Sequence, residues 1–200
     1  EWSNNTATRN KRTDVEGQPN AIDRSMGIIS FDMDGMVIDV NDNFLKTIGY
    51  TKQEVVGQHH RMFTEASLAK SPEYTEFWAG LNRGEFNTGE YKRIAKDGRE
   101  VWLQASYNPI FDLNGNPYKV VKYAIDITAK KQLQITVEQM LTSISVVMNA
   151  MVEGDLTQQV QGKFDGEFAL LQQAVNTTVS KMAKTVKGIN QVAKSISSGA

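Results

Sequence analysis

The sequence predicts an α+β domain, a five-stranded antiparallel sheet with small helices on one face, followed by an all-α arm that forms a parallel coiled-coil bundle. Three observations carry that reading. From about Ala21 to Thr128 the apolar runs are short and come as two strands, then helices, then three more strands. The turns between those strands are too short for a crossover, so neighbours run antiparallel. After Thr128 the apolar residues recur in alternating steps of three and four, the period of a coiled coil.

Residues 1–20 are polar, with Asn4-Asn5, the basic stretch Arg9 to Arg12 and Gly17-Gln18-Pro19, and read as a linker. Ile28–Phe31 and Val37–Val40 flank Asp32-Met33-Asp34-Gly35, a hairpin signal. Thr51-Lys52-Gln53-Glu54 is a capping box, in which hydroxyl and carboxylate satisfy N–H groups the first helical turn leaves open. Ser71-Pro72 starts a second helix, because proline at the first position loses no hydrogen bond. Tyr74, Phe77, Trp78 and Leu81 form its apolar stripe, and Gly84 ends it. Strands over Glu85–Ala95, Arg99–Phe111 and Pro117–Thr128 are joined at Lys96-Asp97-Gly98 and at Asp112 to Gly115. Alternation sends Leu103, Ala105 and Tyr107 to one face and Trp102, Gln104, Ser106 and Asn108 to the other.

In the arm, Val137, Leu141, Ile144, Met148 and Met151 trace a seam that Gly154-Asp155 interrupts. A connector containing Leu156, Val160 and Phe164 follows. The seven-residue rhythm then resumes at Phe168, Val175, Met182, Ile189 and Ile196. A single helix cannot bury such a stripe, so this half is expected to form a parallel homodimer.

Composition excludes several functions. The formal charge is −1, with 22 Lys and Arg against 23 Asp and Glu, and the cations form no dominant block, which argues against a nucleic-acid surface. Absence of cysteine rules out disulfides, thiolate metal sites and cysteine nucleophiles. No uninterrupted apolar run approaches the roughly 20 residues of a membrane span. There is no glycine-rich phosphate loop, nucleophile–base pair or metal-ligand spacing, so an enzyme is not expected. Starting at Glu1 and ending in Ser197-Ser198-Gly199-Ala200 within a helix, the chain reads as an excised cytoplasmic piece, with any membrane attachment in parts of the parent outside it.

Gly35 to Asn41, Phe44, Gly49-Tyr50, Glu54, Gly57, Lys96-Asp97-Gly98 and Asp126-Ile127-Thr128 together resemble a PAS sensor domain over residues 21–129. Residues 130–187 are similar to a HAMP domain, with Glu153-Gly154-Asp155-Leu156 opening the connector and Gly166-Glu167-Phe168 before the second helix. Residues 188–200 look like the entry to the signalling hairpin of a methyl-accepting chemotaxis receptor. That resemblance implies a downstream kinase and coupling protein, reached through a signalling domain beyond this chain.

Gly57-Gln58-His59-His60, Trp78, Gly84-Glu85 and Lys96-Asp97-Gly98 resemble the flavin-binding aerotaxis receptors, which implies an FAD cofactor and redox or oxygen sensing. In flavin light sensors the reactive cysteine falls at His60 and a phosphate-binding arginine at Arg61, so a light-driven adduct is impossible here. The contacts this implies are Asn41, His60, Arg61, Trp78, Tyr91, Arg93, Leu103 and Tyr107, with Ala124 on the same face. Such families often carry asparagine where Arg93 stands. Two alternatives stay open: a haem gas sensor with His59 or His60 as iron ligand, and a ligand-free dimerisation scaffold in which Trp78 is simply core. No other metal site is expected.

Overall fold

The structure, a computed structural model, describes residues 17 and 20–199; most of the expected linker over 1–20 lies outside them. The described residues fall into two compact units that divide between Ala129 and Lys130.

The first unit is built on strands β1 (Gly27–Phe31), β2 (Val37–Val40), β3 (Asn87–Ile94), β4 (Glu100–Phe111) and β5 (Pro117–Asp126). They form one antiparallel sheet in the order β2-β1-β5-β4-β3, so the first strand lies beside the last. The β1–β2 turn is fixed by Asp32, whose carboxylate accepts from the N–H groups of Asp34 (3.0 Å) and Met36 (2.8 Å). Gly35 completes it at φ +82°.

Between β2 and β3 the chain stays helical in short pieces: α1 (Asp42–Ile48), α2 (Lys52–Val55), two 3-10 turns at His60–Phe63 and Leu68–Lys70, and α3 (Pro72–Asn82). The predicted start signals operate. Glu54 reaches back to the Thr51 N–H at 3.0 Å, and the Ser71 hydroxyl accepts from Tyr74 N–H at 3.2 Å. Phe44, Phe63, Trp78 and Leu81 press on the sheet residues Ile29, Phe31, Val101, Leu103 and Tyr107. The expected third strand ends earlier than Thr128, whose hydroxyl instead accepts from Trp102 N–H at 3.0 Å.

Two long helices make the second unit: α4 (Thr128–Val152) and α5 (Gly166–Ser198). Ser143 on α4 binds the connector at Gln161, and α5 binds the same stretch of connector through Gln172 and Asn176. Further on, Gly154 and Leu156 line a groove with Val186 and Asn190. The two helices therefore run parallel. Their shared core is Met140, Val147, Val160 and Val179, backed by Ile144, Met151, Leu156, Phe164, Phe168 and Val175.

Within the single chain the buried pair on α4 is Met140 and Val147, with Ile144 and Met151 of the expected seam packed beside them, while Leu141 and Met148 of that seam are exposed. The helix has two apolar flanks, and the connector covers only one. One correction concerns length and hydropathy: α4, at 25 residues, is long and apolar enough to cross a membrane by those measures alone. Its apolar residues are interleaved with Ser, Thr and Gln, which is why no continuous run stands out.

Candidate functional site

In the first unit the side chains between the sheet and the short helices include a connected set of polar groups. Period-2 alternation places Leu103, Ala105 and Tyr107 of β4 and Ala124 of β5 on the inner face, and all four are buried. On β3 the same face carries Tyr91 and Arg93, paired in register with Leu103 and Val101. Opposite them, the 3-10 turn supplies His60 and α3 supplies Tyr74 and Trp78.

His60 is fully buried and both its nitrogens are engaged, Nδ1 with the Tyr74 hydroxyl at 2.8 Å and Nε2 with the Tyr107 hydroxyl at 3.0 Å. Burial holds its pKa well below the usual histidine value, and the charges of Arg93 and Lys122 push the same way. The ring is therefore neutral. Arg93 Nη2 donates to the Tyr107 hydroxyl at 3.0 Å. One proton assignment is consistent with all three links: Arg93 donates to Tyr107, Tyr107 donates to His60 Nε2, and His60 Nδ1–H donates to Tyr74. The relay Arg93–Tyr107–His60–Tyr74 thus joins β3, β4, the 3-10 turn and α3 by side-chain hydrogen bonds.

Aromatic rings hold the relay in place. Tyr107 meets Phe77 edge-on at 4.9 Å and Tyr91 at 5.3 Å, and His60 lies edge-on to Phe31 at 5.2 Å and to Trp78 at 5.5 Å. Burial pushes the Tyr91 hydroxyl up to about 12, and the Tyr107 hydroxyl is raised for the same reason, so both are protonated donors at neutral pH. Among the described residues, two buried side-chain N–H groups have no hydrogen-bond partner, Trp78 Nε1 and Arg93 Nε.

The other candidates are placed elsewhere. Asn41 is consumed by the fold: its Oδ1 accepts from Ile28 N–H (2.8 Å) and Phe44 N–H (3.0 Å), and its Nδ2 donates to the Met26 carbonyl at 2.9 Å. It ties β1 to the start of α1 and has no capacity left for a ligand. Arg61 is exposed at the outer end of the 3-10 turn, where its backbone N–H is held by His59 Nδ1 at 3.1 Å and its carbonyl accepts from the Thr64 hydroxyl at 2.9 Å. Haem ligation by His60 requires breaking one of its two hydrogen bonds. Among the described residues no group of three or more His, Cys, Asp or Glu is arranged to hold a metal.

One member of the site escaped the sequence reading. Lys122 of β5 is 1% exposed, with its ammonium 4.8 Å from the Tyr107 ring centre and 5.2 Å from that of Phe44. Alternation carried the signal, because Lys122 lies between the buried Val120 and Ala124 on the inward face.

Residues 37–124 match the family model described as the PAS fold. The first unit is a PAS domain. The chain is 45% identical over 115 residues to the biofilm dispersion protein BdlA of Pseudomonas aeruginosa, covering 58% of this chain and 28% of that protein. Identity to the aerotaxis receptor of Escherichia coli is 32% over 79 residues, 40% of this chain and 15% of the receptor. The chain thus spans less than a third of the curated relatives it matches. Among solved structures, a PAS domain from Colwellia psychrerythraea superposes with a TM-score of 0.50 at 26% identity, covering 57% of this chain and 98% of that one. An RNA-binding light-oxygen-voltage receptor shares the fold at a TM-score of 0.55 and 20% identity, over 66% of this chain and 38% of that one.

Proposed function

We propose that this chain is the sensory relay of a chemotaxis-type receptor: the PAS domain perceives redox state, oxygen or a small ligand, and the helical arm, acting as a HAMP domain, passes the change on. The observation that carries this reading is the Arg93–Tyr107–His60–Tyr74 relay. A group that takes over any one of its hydrogen bonds alters how the 3-10 turn and α3 sit on the sheet, which a packed core of rings alone would not do.

FAD is the cofactor this reading names. The unpartnered Trp78 Nε1 and Arg93 Nε are donors suited to the polar edge of a flavin ring, and the exposed Arg61 is suited to its phosphates. Similarity to an aerotaxis receptor supports the same choice. When bound, FAD would supply a ring whose charge and hydrogen-bonding edge change with redox state. Leu103, Ala105 and Tyr107 would pack against it, and His60 and Tyr74 would read the change.

The output proposed is not catalysis but control of a kinase and its coupling protein through a signalling domain beyond residue 200. The chain works as a cytoplasmic homodimer through the exposed flank of its helices. The deciding measurement is the visible absorbance spectrum of the purified chain, followed by mass spectrometry of what it releases on denaturation. A flavin spectrum with FAD released is expected. A colourless protein that neither releases nor takes up FAD would remove flavin from the assignment.

A further inference from the structure

The PAS core holds two cations and no anion. Arg93 is 4% exposed and Lys122 1% exposed, and among the described residues no carboxylate pairs with either. Ion pairs such as Lys52–Asp39 and Arg83–Glu76 lie at the surface. Tyr107 stands between the two core cations, its hydroxyl 3.0 Å from Arg93 Nη2 and its ring 4.8 Å from the Lys122 ammonium. A hydroxyl, a backbone carbonyl and ring faces are weak compensation for buried positive charge, since each lacks a full negative charge. Arg93 donates to the Lys92 carbonyl at 2.7 Å and leans over the Tyr91 ring at 5.1 Å, yet its Nε remains without an acceptor.

We propose that Lys122 and Arg93 form the anion-binding pole of a small-molecule site in the PAS core, and that the ligand presents a carboxylate or a comparable negatively charged oxygen group to it. The inference rests on the reading of this core as a ligand site and adds the chemistry that selects the ligand. A carboxylate matches the fork of Arg93, supplies the acceptor its Nε lacks, and takes the place of the Tyr107 hydroxyl as partner of Nη2. Tyr107 then loses one of its two hydrogen bonds, so ligand binding acts directly on the relay to His60 and Tyr74. Burial and the neighbouring Arg93 disfavour the charged form of Lys122, a cost that an arriving anion offsets. The anion has two chemical sources, a free organic acid or the negatively charged part of a larger cofactor.

The test uses the full 200-residue chain and its Lys122→Met variant, which removes the charge while keeping the length of the side chain. Thermal shift and calorimetry are run with sodium acetate, succinate, citrate and benzoate, against sodium chloride at equal ionic strength, and in a second arm with FAD. Without ligand, K122M is expected to melt higher than the parent, because a buried charge is gone. At least one acid or FAD is expected to bind the parent saturably. K122M is expected to bind the same probe about 10- to 100-fold more weakly, the loss of one charge-assisted contact. Binding confined to the acid arm identifies a free organic acid, and binding confined to FAD identifies a cofactor. Equal affinity in K122M overturns the inference while leaving the ligand site standing. A parent protein that binds none of these probes overturns both.

Discussion

Asn176 of α5 grips the connector residue Val160 at both backbone groups: its Oδ1 accepts from the Val160 N–H at 2.8 Å and its Nδ2 donates to the Val160 carbonyl at 3.3 Å. Extended backbone has no internal hydrogen bonds, and Val160 is buried, so these groups must be met by side chains. Gln172 adds a bond to the same carbonyl at 3.0 Å, and Ser143 takes the next N–H, that of Gln161, at 3.0 Å. The valine side chain can therefore enter the core of the second unit while its backbone stays satisfied.

Replacing Asn176 with Ala orphans the Val160 N–H, whereas the carbonyl keeps Gln172. The expected loss is about 1–3 kcal/mol of stability in the arm, the cost of one buried unsatisfied donor. Hydrogen exchange at the Val160 amide is the direct check. Protection unchanged in N176A would mean the grip is incidental.

Gly35 is expected to resist substitution for two independent reasons. Its φ of +82° disfavours any side chain, and a Cβ there would lie 2.9 Å from the Trp78 ring. Gly35→Ala should destabilise the PAS domain by about 1–3 kcal/mol in urea denaturation. Trp78 fluorescence, read in the folded baseline, should shift as the ring is displaced. A variant of unaltered midpoint would show that the turn relaxes freely.

Stability should fall as the solution is acidified through the histidine range. Folded His60 stays neutral, and the unfolded ring takes up a proton below its model value of 6.5, so acid favours the unfolded chain. His59 is shifted in the same direction and adds to the slope. His60→Gln should flatten the urea midpoint below pH 6.5 by up to about 1.4 kcal/mol per pH unit, the contribution of one proton. A parent and variant with parallel pH profiles would contradict a neutral buried His60.

The exposed apolar series on α5 predicts self-association. Ile189 and Ile196 are 62% and 70% exposed, one heptad apart. Sedimentation of the chain should give a dimer, and the double variant Ile189→Asn, Ile196→Asn should shift the population toward the monomer mass. A parent chain that sediments as a monomer at high concentration would leave that surface to another partner.

The strands were readable because turn residues announce themselves locally. Asp32 to Gly35 turns the chain wherever it is placed, and the Ser71-Pro72 start fixes α3 without help from distant residues. Alternation alone separated the two faces of β4, and the PAS resemblance said which of them turns inward. Asn41 was named as a ligand contact, and in the fold its side chain ties β1 to α1, because a marker residue looks the same in sequence whether it caps a helix or holds a cofactor. Its partners, Ile28 and Met26, come from a strand and turn that only the fold brings beside it. In α4 two apolar flanks share one helix, and periodicity cannot say which flank the connector will cover.

By itself the sequence determined the order of elements, the two faces of β4 and the seven-residue rhythm of the arm, since each depends on residues close together in the chain. Only the tertiary structure decided that His60 bridges two tyrosines, that Lys122 and Arg93 share one core without a carboxylate, and that Asn176 holds Val160. Those relationships join positions 14 to 47 residues apart, and whether a polar group at such a distance is satisfied depends on the packed backbone around it rather than on its neighbours in sequence.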